Sequence, residues 1–351
     1  MKFKTKYDSY NINTLPKGCK YCVRGEKLVL FISGICSRAC WYCSLSDKRK
    51  NKDVICFNER IAKKNSELYK EIKESNASSM GITGGDPLLY LNRTISYAKF
   101  AKQKFGKSFH IHIYLPTKLI TKDKIKKLSK YIDEIRFNPE YTIKSNELLL
   151  KNDIEKIKIA SLFYKKENIG IELPMIPNRK EDFLKMILEL KDIIGFVNLN
   201  EFELSETNMD KVTKKYKLNE GGYTIKNSIK SGIWIINEIK KNKEINKIKV
   251  HLCTANLKNN YQFKNRLKLH KVLPFGDKTK EGMVKYLVTN TKPKIIQNPK
   301  NKKTYFYDKE KKRYNLSESL AKELIKNKQK IFLIEEFPTY DRIEVEVQEL
   351  N

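Results

Sequence analysis

Short runs of aliphatic and β-branched residues recur through the first three quarters of this chain. Between them lie longer stretches whose apolar residues fall three and four positions apart. The short runs read as strands and the periodic stretches as amphipathic helices. Strands are predicted at 28–33, 79–83, 109–114, 132–137, 168–173, 195–200 and 247–253. Helices are predicted near 60–75, 91–105, 121–131, 145–165, 179–194 and 223–242. In the last of these, Ile225, Ile229, Ile233 and Ile236 mark one face, while Gly232 interrupts another. Regular alternation of strand and helix predicts an α/β fold with a parallel sheet.

After Asn256 the pattern changes. Leu257–His270 reads as a basic helical stretch, and 289–303 is a polar run of Lys, Asn and Pro. Thr304-Tyr-Phe-Tyr307 and Tyr314, joined through Asp308–Arg313, predict a hairpin. Asn315-Leu-Ser-Glu318 then reads as a capped helix start, Asn315 at N-cap and Glu318 at N3. Lys330–Ile334 and Arg342–Val347 close the chain as two strand-like runs joined through Pro338. The expected organisation is an N-terminal segment over 1–26, an α/β core over 27–256 and a small α+β C-terminal domain over 257–351.

At 351 residues the chain exceeds one typical domain. No run approaches about 18 uninterrupted apolar residues, so no membrane span is expected. Met1-Lys-Phe-Lys-Thr-Lys-Tyr7 lacks the apolar core of a signal peptide. With seven cysteines in no paired framework, a reducing, cytoplasmic setting without disulfides is expected. The formal charge of +31 changes the picture further. Of 72 basic residues 10 are Arg, leaving 72 − 10 = 62 Lys, a low-GC codon signature. Codon bias explains Lys over Arg but not the surplus itself. Residues 257–330 hold 21 basic against 6 acidic side chains, a net of 21 − 6 = +15, which points to a polyanionic substrate.

The chemistry concentrates after the first predicted strand, in Gly34-Ile-Cys-Ser-Arg-Ala-Cys-Trp-Tyr-Cys43. Structural zinc takes four protein ligands and closes its shell. Cys36, Cys40 and Cys43 supply three thiolates on one short loop and leave a position open, which fits a [4Fe–4S] cluster. Packing cysteines or a zinc half-site are the plainer alternatives. About forty residues on, Gly84-Gly85-Asp86-Pro87 follows the strand-like Ser79–Thr83.

These two segments resemble the radical S-adenosylmethionine (SAM) superfamily, whose cluster loop is C-x3-C-x-aromatic-C, with Tyr42 in the aromatic place. Gly84-Gly85-Asp86 is similar to the family's GGE turn, with Asp where Glu is commoner. Ile132–Pro139 and Leu199–Asn208 also resemble an archaeal group related to the pyruvate formate-lyase activating enzymes. The resemblance spans roughly 15–255 and implies a partial (βα)6 barrel. It also implies a [4Fe–4S] cluster on Cys36, Cys40 and Cys43, with SAM chelating the open iron. Reductive cleavage of SAM would give methionine and a 5′-deoxyadenosyl radical, the electron coming from a ferredoxin- or flavodoxin-type reductant. Gly84 and Gly85 would approach the SAM amino acid moiety and Asp86 would pair with its ammonium. Asn138, Glu140 and Glu172 would contact its carboxylate or ribose, with Asn200 and Glu203 on the same rim.

Cys19 and Cys22 form a second C-x2-C pair, a candidate for a second metal or cluster that would need two more ligands. Cys253 is expected at the opposite end of the barrel from Cys22, and Cys56 reads as a packing residue. His110 and His112 share one face of a strand, lumen or helix side; His251 and His270 carry no motif. Three functions follow. The first is a radical SAM enzyme modifying a macromolecule, with RNA favoured by the basic C-terminal region and by Tyr305, Phe306, Tyr307 and Tyr314 as stacking candidates. The second is an activase that installs a glycyl radical on a partner protein. The third is a non-enzymatic zinc-containing RNA-binding protein.

Overall fold

The computed structural model describes residues 3–293 and 304–350. Its first ten strands are β1 (Tyr10–Ile12), β2 (Lys27–Phe31), β3 (Cys56–Phe57), β4 (Arg60–Ile61), β5 (Ser79–Thr83), β6 (His110–Pro116), β7 (Glu134–Asn138), β8 (Ile169–Met175), β9 (Phe196–Glu201) and β10 (Lys249–Cys253). They form one sheet in the order β1-β10-β9-β8-β7-β6-β5-β2-β3-β4. From β2 through β5 to β10 every neighbouring pair is parallel. The seven parallel strands match the seven predicted to within a few residues. Side chains from all seven line a single internal cavity, so the sheet curls into a barrel.

The period-two alternation of a strand decides what goes where. Ile111, Ile113, Leu115, Ile135, Phe137, Ile171, Leu173, Val197, Leu199, Val250 and Leu252 point outward and are buried under the helices. The alternate residues, among them His112, Tyr114, Arg136, Glu172, Asn198 and His251, face inward. Both faces are covered, as in parallel sheets generally, but the inner face is polar. Helices Asn65–Glu74, Leu91–Phe105, Lys122–Leu128, Glu147–Lys158, Lys180–Glu189 and Ser228–Lys241 form the outer layer. The last begins later than expected. Ile225 precedes it, and its buried face is Ser228, Ser231, Gly232, Ile235, Ile236 and Ile239. Gly232 is there because a Cβ would meet Leu252 Cδ1 at 2.7 Å.

The N-terminal segment is part of this core. β1 pairs antiparallel with β10. Helix α1 (Lys17–Val23) enters the amino end of the barrel, where the Gly18 N–H donates to Glu134 Oε2 at 3.1 Å. Residues 255–269 lie across α1 as a broken helix. Asn265 Nδ2 donates to the Val23 carbonyl at 2.8 Å, and Leu257 packs with Val23 and Cys253. A Cβ on Gly25 would sit 2.3 Å from the Arg266 nitrogen, and its φ of +76° also favours glycine. The expected boundary at 257 therefore cuts through packed core.

The second sheet comprises β11 (Gly276–Lys278), β12 (Val284–Thr289), β13 (Tyr305–Asp308), β14 (Arg313–Leu316), β15 (Phe332–Glu336) and β16 (Glu344–Glu349), all antiparallel. Helix Glu318–Lys326 packs against it. The hairpin is as predicted, but the cap is not. Ser317, not Asn315, accepts from the Leu320 N–H at 3.3 Å, while Asn315 is buried within β14. Strand pairing with β12 and β13 has claimed the backbone that an N-cap at 315 would need. Lys302, Lys303 and most of the polar run 289–303 lie outside the described residues. Among the described residues no helix is long and apolar enough to cross a membrane.

Candidate active site

The cysteine loop has almost no regular structure, so its shape is imposed from outside. Backbone bonds from Gly85 N–H to Ser33 O at 2.7 Å and Asp86 N–H to Ile35 O at 3.0 Å lace it to the turn after β5. A Cβ on Gly85 would meet the Ile35 oxygen at 2.2 Å. The glycine pair is thus needed by the close approach of these two backbones. Asp86 is buried. Its Oδ2 accepts from Ser37 Oγ at 2.5 Å, and its Oδ1 accepts from the Leu88 N–H at 2.9 Å as the cap of a short 3₁₀ turn. Both carboxyl oxygens are engaged, and Gly84 and Gly85 reach the cavity wall while Asp86 does not. The place expected for a SAM ammonium partner is occupied by a group that positions the cysteine loop.

The rest of the loop is held from the other side of the barrel. Arg38 Nη1 donates to the Asn138 carbonyl at 2.8 Å at the end of β7, and Trp41 Nε1 to the Ile143 carbonyl at 3.2 Å. The Tyr42 hydroxyl bonds Thr142, and burial pushes that phenol up. The single Thr207 hydroxyl hydrogen is shared between the Leu45 and Cys43 carbonyls, 2.6 and 3.0 Å from Oγ1, and Asn208 Nδ2 donates to the Tyr42 carbonyl at 3.1 Å. Cys36, Cys40 and Cys43 are half-buried and free, and burial raises the thiols of Cys36 and Cys40. They line a cavity of about 470 Å³ with Arg38, Tyr42, Gly84, Gly85, Asn138, Asn200 and Glu203. Arg38 Nε is buried and has no partner. Three thiols beside an unsatisfied cationic donor suit an iron–sulfur cluster with an anionic chelating ligand.

Below this cavity lies a second, of about 260 Å³, inside the barrel lumen. Thr83, Asn138, Asn200 and Lys258 line both. Its wall is one hydrogen-bonded network. Arg136 donates to Glu172 Oε1 at 2.7 Å, Glu134 Oε1 at 2.7 Å from Nε, and Cys19 Sγ at 3.4 Å. Glu172 Oε2 accepts from Asn198 and Asn200, each at 2.7 Å. Glu172 is therefore satisfied within the lumen. Glu140 is placed by its N–H, which donates to Asp153 Oδ1 at 3.0 Å, and it lines neither cavity. Glu203 pairs with Lys258 Nζ at 2.7 Å.

Three of the four histidines, His110, His112 and His251, are inside the barrel. His110, His112 and Glu134 bring their ligand atoms within 4.8 Å of one another, all buried. Burial depresses all three lumen histidines: His110 to about 4, His112 well below the usual range, and His251 to about 3. Cys19 and Cys253 are pushed up to about 12 by burial. Cys253 is not at the far end from Cys22: both line this same cavity, with Cys19. Insertion of α1 into the barrel brings them together. Cys56 is buried in β3, as a packing residue should be. Sequence reasoning missed Ser37, Arg38, Thr207 and Asn208; only the phrase Leu199–Asn208 carried a signal for two of them.

Residues 30–190 match the model of the Radical SAM superfamily. A protein of Methanocaldococcus jannaschii, provisionally named a glycyl-radical enzyme activating enzyme, is 38% identical over 267 residues, 75% of this chain and 69% of its own length. Among solved structures, native anSMEcpe with bound AdoMet aligns at 15% identity and TM-score 0.38, over 61% of this chain and 59% of that one. Methylornithine synthase (PylB) aligns at 11% identity and TM-score 0.42, over 68% and 76%.

Proposed function

Since this chain belongs to the radical SAM superfamily, we propose that it is an activase, passing a radical generated from SAM to a partner protein. The observation that carries this reading is the relative of 38% identity named for that activity. On this reading Cys36, Cys40 and Cys43 hold the cluster, which when bound supplies one-electron reduction of SAM. The protein's own part is placement. Ser37, Asp86, Thr207 and Asn208 fix the cysteine loop, and Arg38 would offer its unpartnered Nε to the SAM carboxylate. Asn138 and Asn200, at the junction of the two cavities, would orient the adenosyl end toward the lumen.

RNA is the weaker candidate substrate. The +15 surplus remains, but Arg313 and Arg342 are bound up with Asp308, Glu336 and Glu344. Tyr305 and Tyr314 pack on the core of the second sheet. Of the stacking candidates, Tyr307 is the one clearly exposed. The discriminating experiment is anaerobic incubation of reconstituted enzyme with SAM, reductant and a soluble cell extract. A glycyl-radical doublet in the paramagnetic resonance spectrum supports the activase. A new modified nucleoside by mass spectrometry, without the doublet, would overturn it.

A further inference from the structure

Three of the seven cysteines, Cys19, Cys22 and Cys253, have no part in the site above, yet they line one internal cavity. Two come from α1, where a separation of three places them on one side of the helix. The third ends β10. A fourth group faces them. His251 is buried to 1% exposure and its Nε2 has no partner.

The tautomer of His251 is fixed by its neighbour. Asn198 Nδ2 donates to Glu172 Oε2 at 2.7 Å and Asn200 Oδ1 at 3.1 Å, so its carbonyl oxygen is the atom turned toward His251. That oxygen lies 2.8 Å from His251 Nδ1 and can only accept. Nδ1 therefore carries the hydrogen, and Nε2 presents a bare lone pair to the cavity. This is the arrangement of a metal-ligating histidine whose other nitrogen is anchored by an outer partner.

The size of the site selects the metal group. A lone zinc ion holds thiolates at about 2.3 Å, which brings its sulfurs within about 4 Å of one another. Among the described residues only His110, His112 and Glu134 bring three or more such atoms within 4.8 Å. Neither the lumen cysteines with His251 nor Cys36, Cys40 and Cys43 form such a group. A cavity of about 260 Å³ has room for a polynuclear group. Lys27 on its wall offsets part of the thiolate charge, Arg136 being already paired with Glu134 and Glu172.

We propose that the lumen holds a second iron–sulfur cluster, ligated by Cys19, Cys22, Cys253 and His251 Nε2. It is separate from the SAM cluster and does not depend on the activase reading. Imidazole replaces thiolate at cluster irons elsewhere, so the mixed set is chemically sound.

The test is anaerobic reconstitution of the full chain with iron and sulfide. Cys36→Ala/Cys40→Ala/Cys43→Ala should still retain iron, acid-labile sulfide and a reducible paramagnetic signal. Adding Cys22→Ser and Cys253→Ser should remove all three. A folded triple variant without iron overturns the proposal. The converse double variant guards against misfolding: Cys22→Ser/Cys253→Ser alone should lose the lumen's share of the iron while SAM cleavage keeps its own cluster. Unchanged iron in that protein also overturns it, as does stoichiometric zinc in the lumen of the triple variant. His251→Ala should alter the signal retained by the triple variant; an identical spectrum removes the histidine from the ligand set.

Discussion

Replacing Asp86 separates two roles that a GGD turn could play. If its carboxyl pairs with the SAM ammonium, Asp86→Ala weakens SAM binding and leaves the iron in place. The structure predicts otherwise. Asp86 accepts from Ser37, next to Cys36, at 2.5 Å and from the Leu88 N–H at 2.9 Å, and is 1% exposed. A hydrogen bond to a charged acceptor contributes about 1.5–3 kcal/mol, and a lost helix cap costs about 1 kcal/mol. Truncation should therefore favour an open cysteine loop by about 3 kcal/mol, close to a hundredfold in cluster retention at about 1.4 kcal/mol per decade. Asp86→Asn keeps an oxygen for Leu88 N–H and a polar group for Ser37, so it should keep most of the iron. The assay is iron and sulfide content after anaerobic gel filtration, with SAM affinity measured on whatever cluster remains. Full iron in Asp86→Ala with weak SAM binding, or full iron in Asp86→Asn with SAM binding abolished, would refute the positioning role and restore the ammonium contact.

Ala at any one of Cys36, Cys40 or Cys43 should abolish formation of 5′-deoxyadenosine; a triple variant that still makes it would remove the cluster assignment. Gly85→Ala must open the 2.2 Å approach to Ile35 O by at least 0.8 Å to reach 3.0 Å, so it should lose iron, whereas Gly222→Ala, with nothing nearer than 3.9 Å, should be neutral. Truncation after residue 272 should leave a soluble barrel, whereas truncation after 256 strips the cover from α1 and should yield insoluble protein; a soluble, iron-loaded 1–256 fragment would restore the boundary at 257. The lumen histidines give a pH dependence. Their folded pKa values lie below the usual 6.5, so between about 6.5 and 4 the unfolded chain binds more protons and stability falls as pH falls, by up to about 1.4 kcal/mol per unit for each histidine. In metal-free protein, a urea midpoint unchanged between pH 7 and 5 would contradict their neutral burial, and His110→Gln should shallow the slope.

The sequence by itself determined the seven parallel strands and most of the helices between them, because period two and period 3.6 are local properties that burial on the outer face enforces. It also determined the cysteine loop and the glycine turn, since three thiols at short spacing and a glycine pair are chemically distinctive in one dimension. It did not determine what those residues hold on to. Asp86 reads as a ligand contact until the loop of Cys36 is laid against it, and Thr207 and Asn208 carry no local sign that they clasp backbone more than 160 residues away. Asn315 has the composition of a cap, yet strand pairing claims it and passes the role to Ser317. The placement of Cys22 beside Cys253 was decided by tertiary structure alone. A seven-residue helix without long-range information in its pattern could lie at either end of a barrel. It enters the lumen because Gly18 removes the side chain that Arg136, His112 and Glu134 would strike, all within 2.8 Å of a Cβ there. That fit is a property of two strands and a helix together.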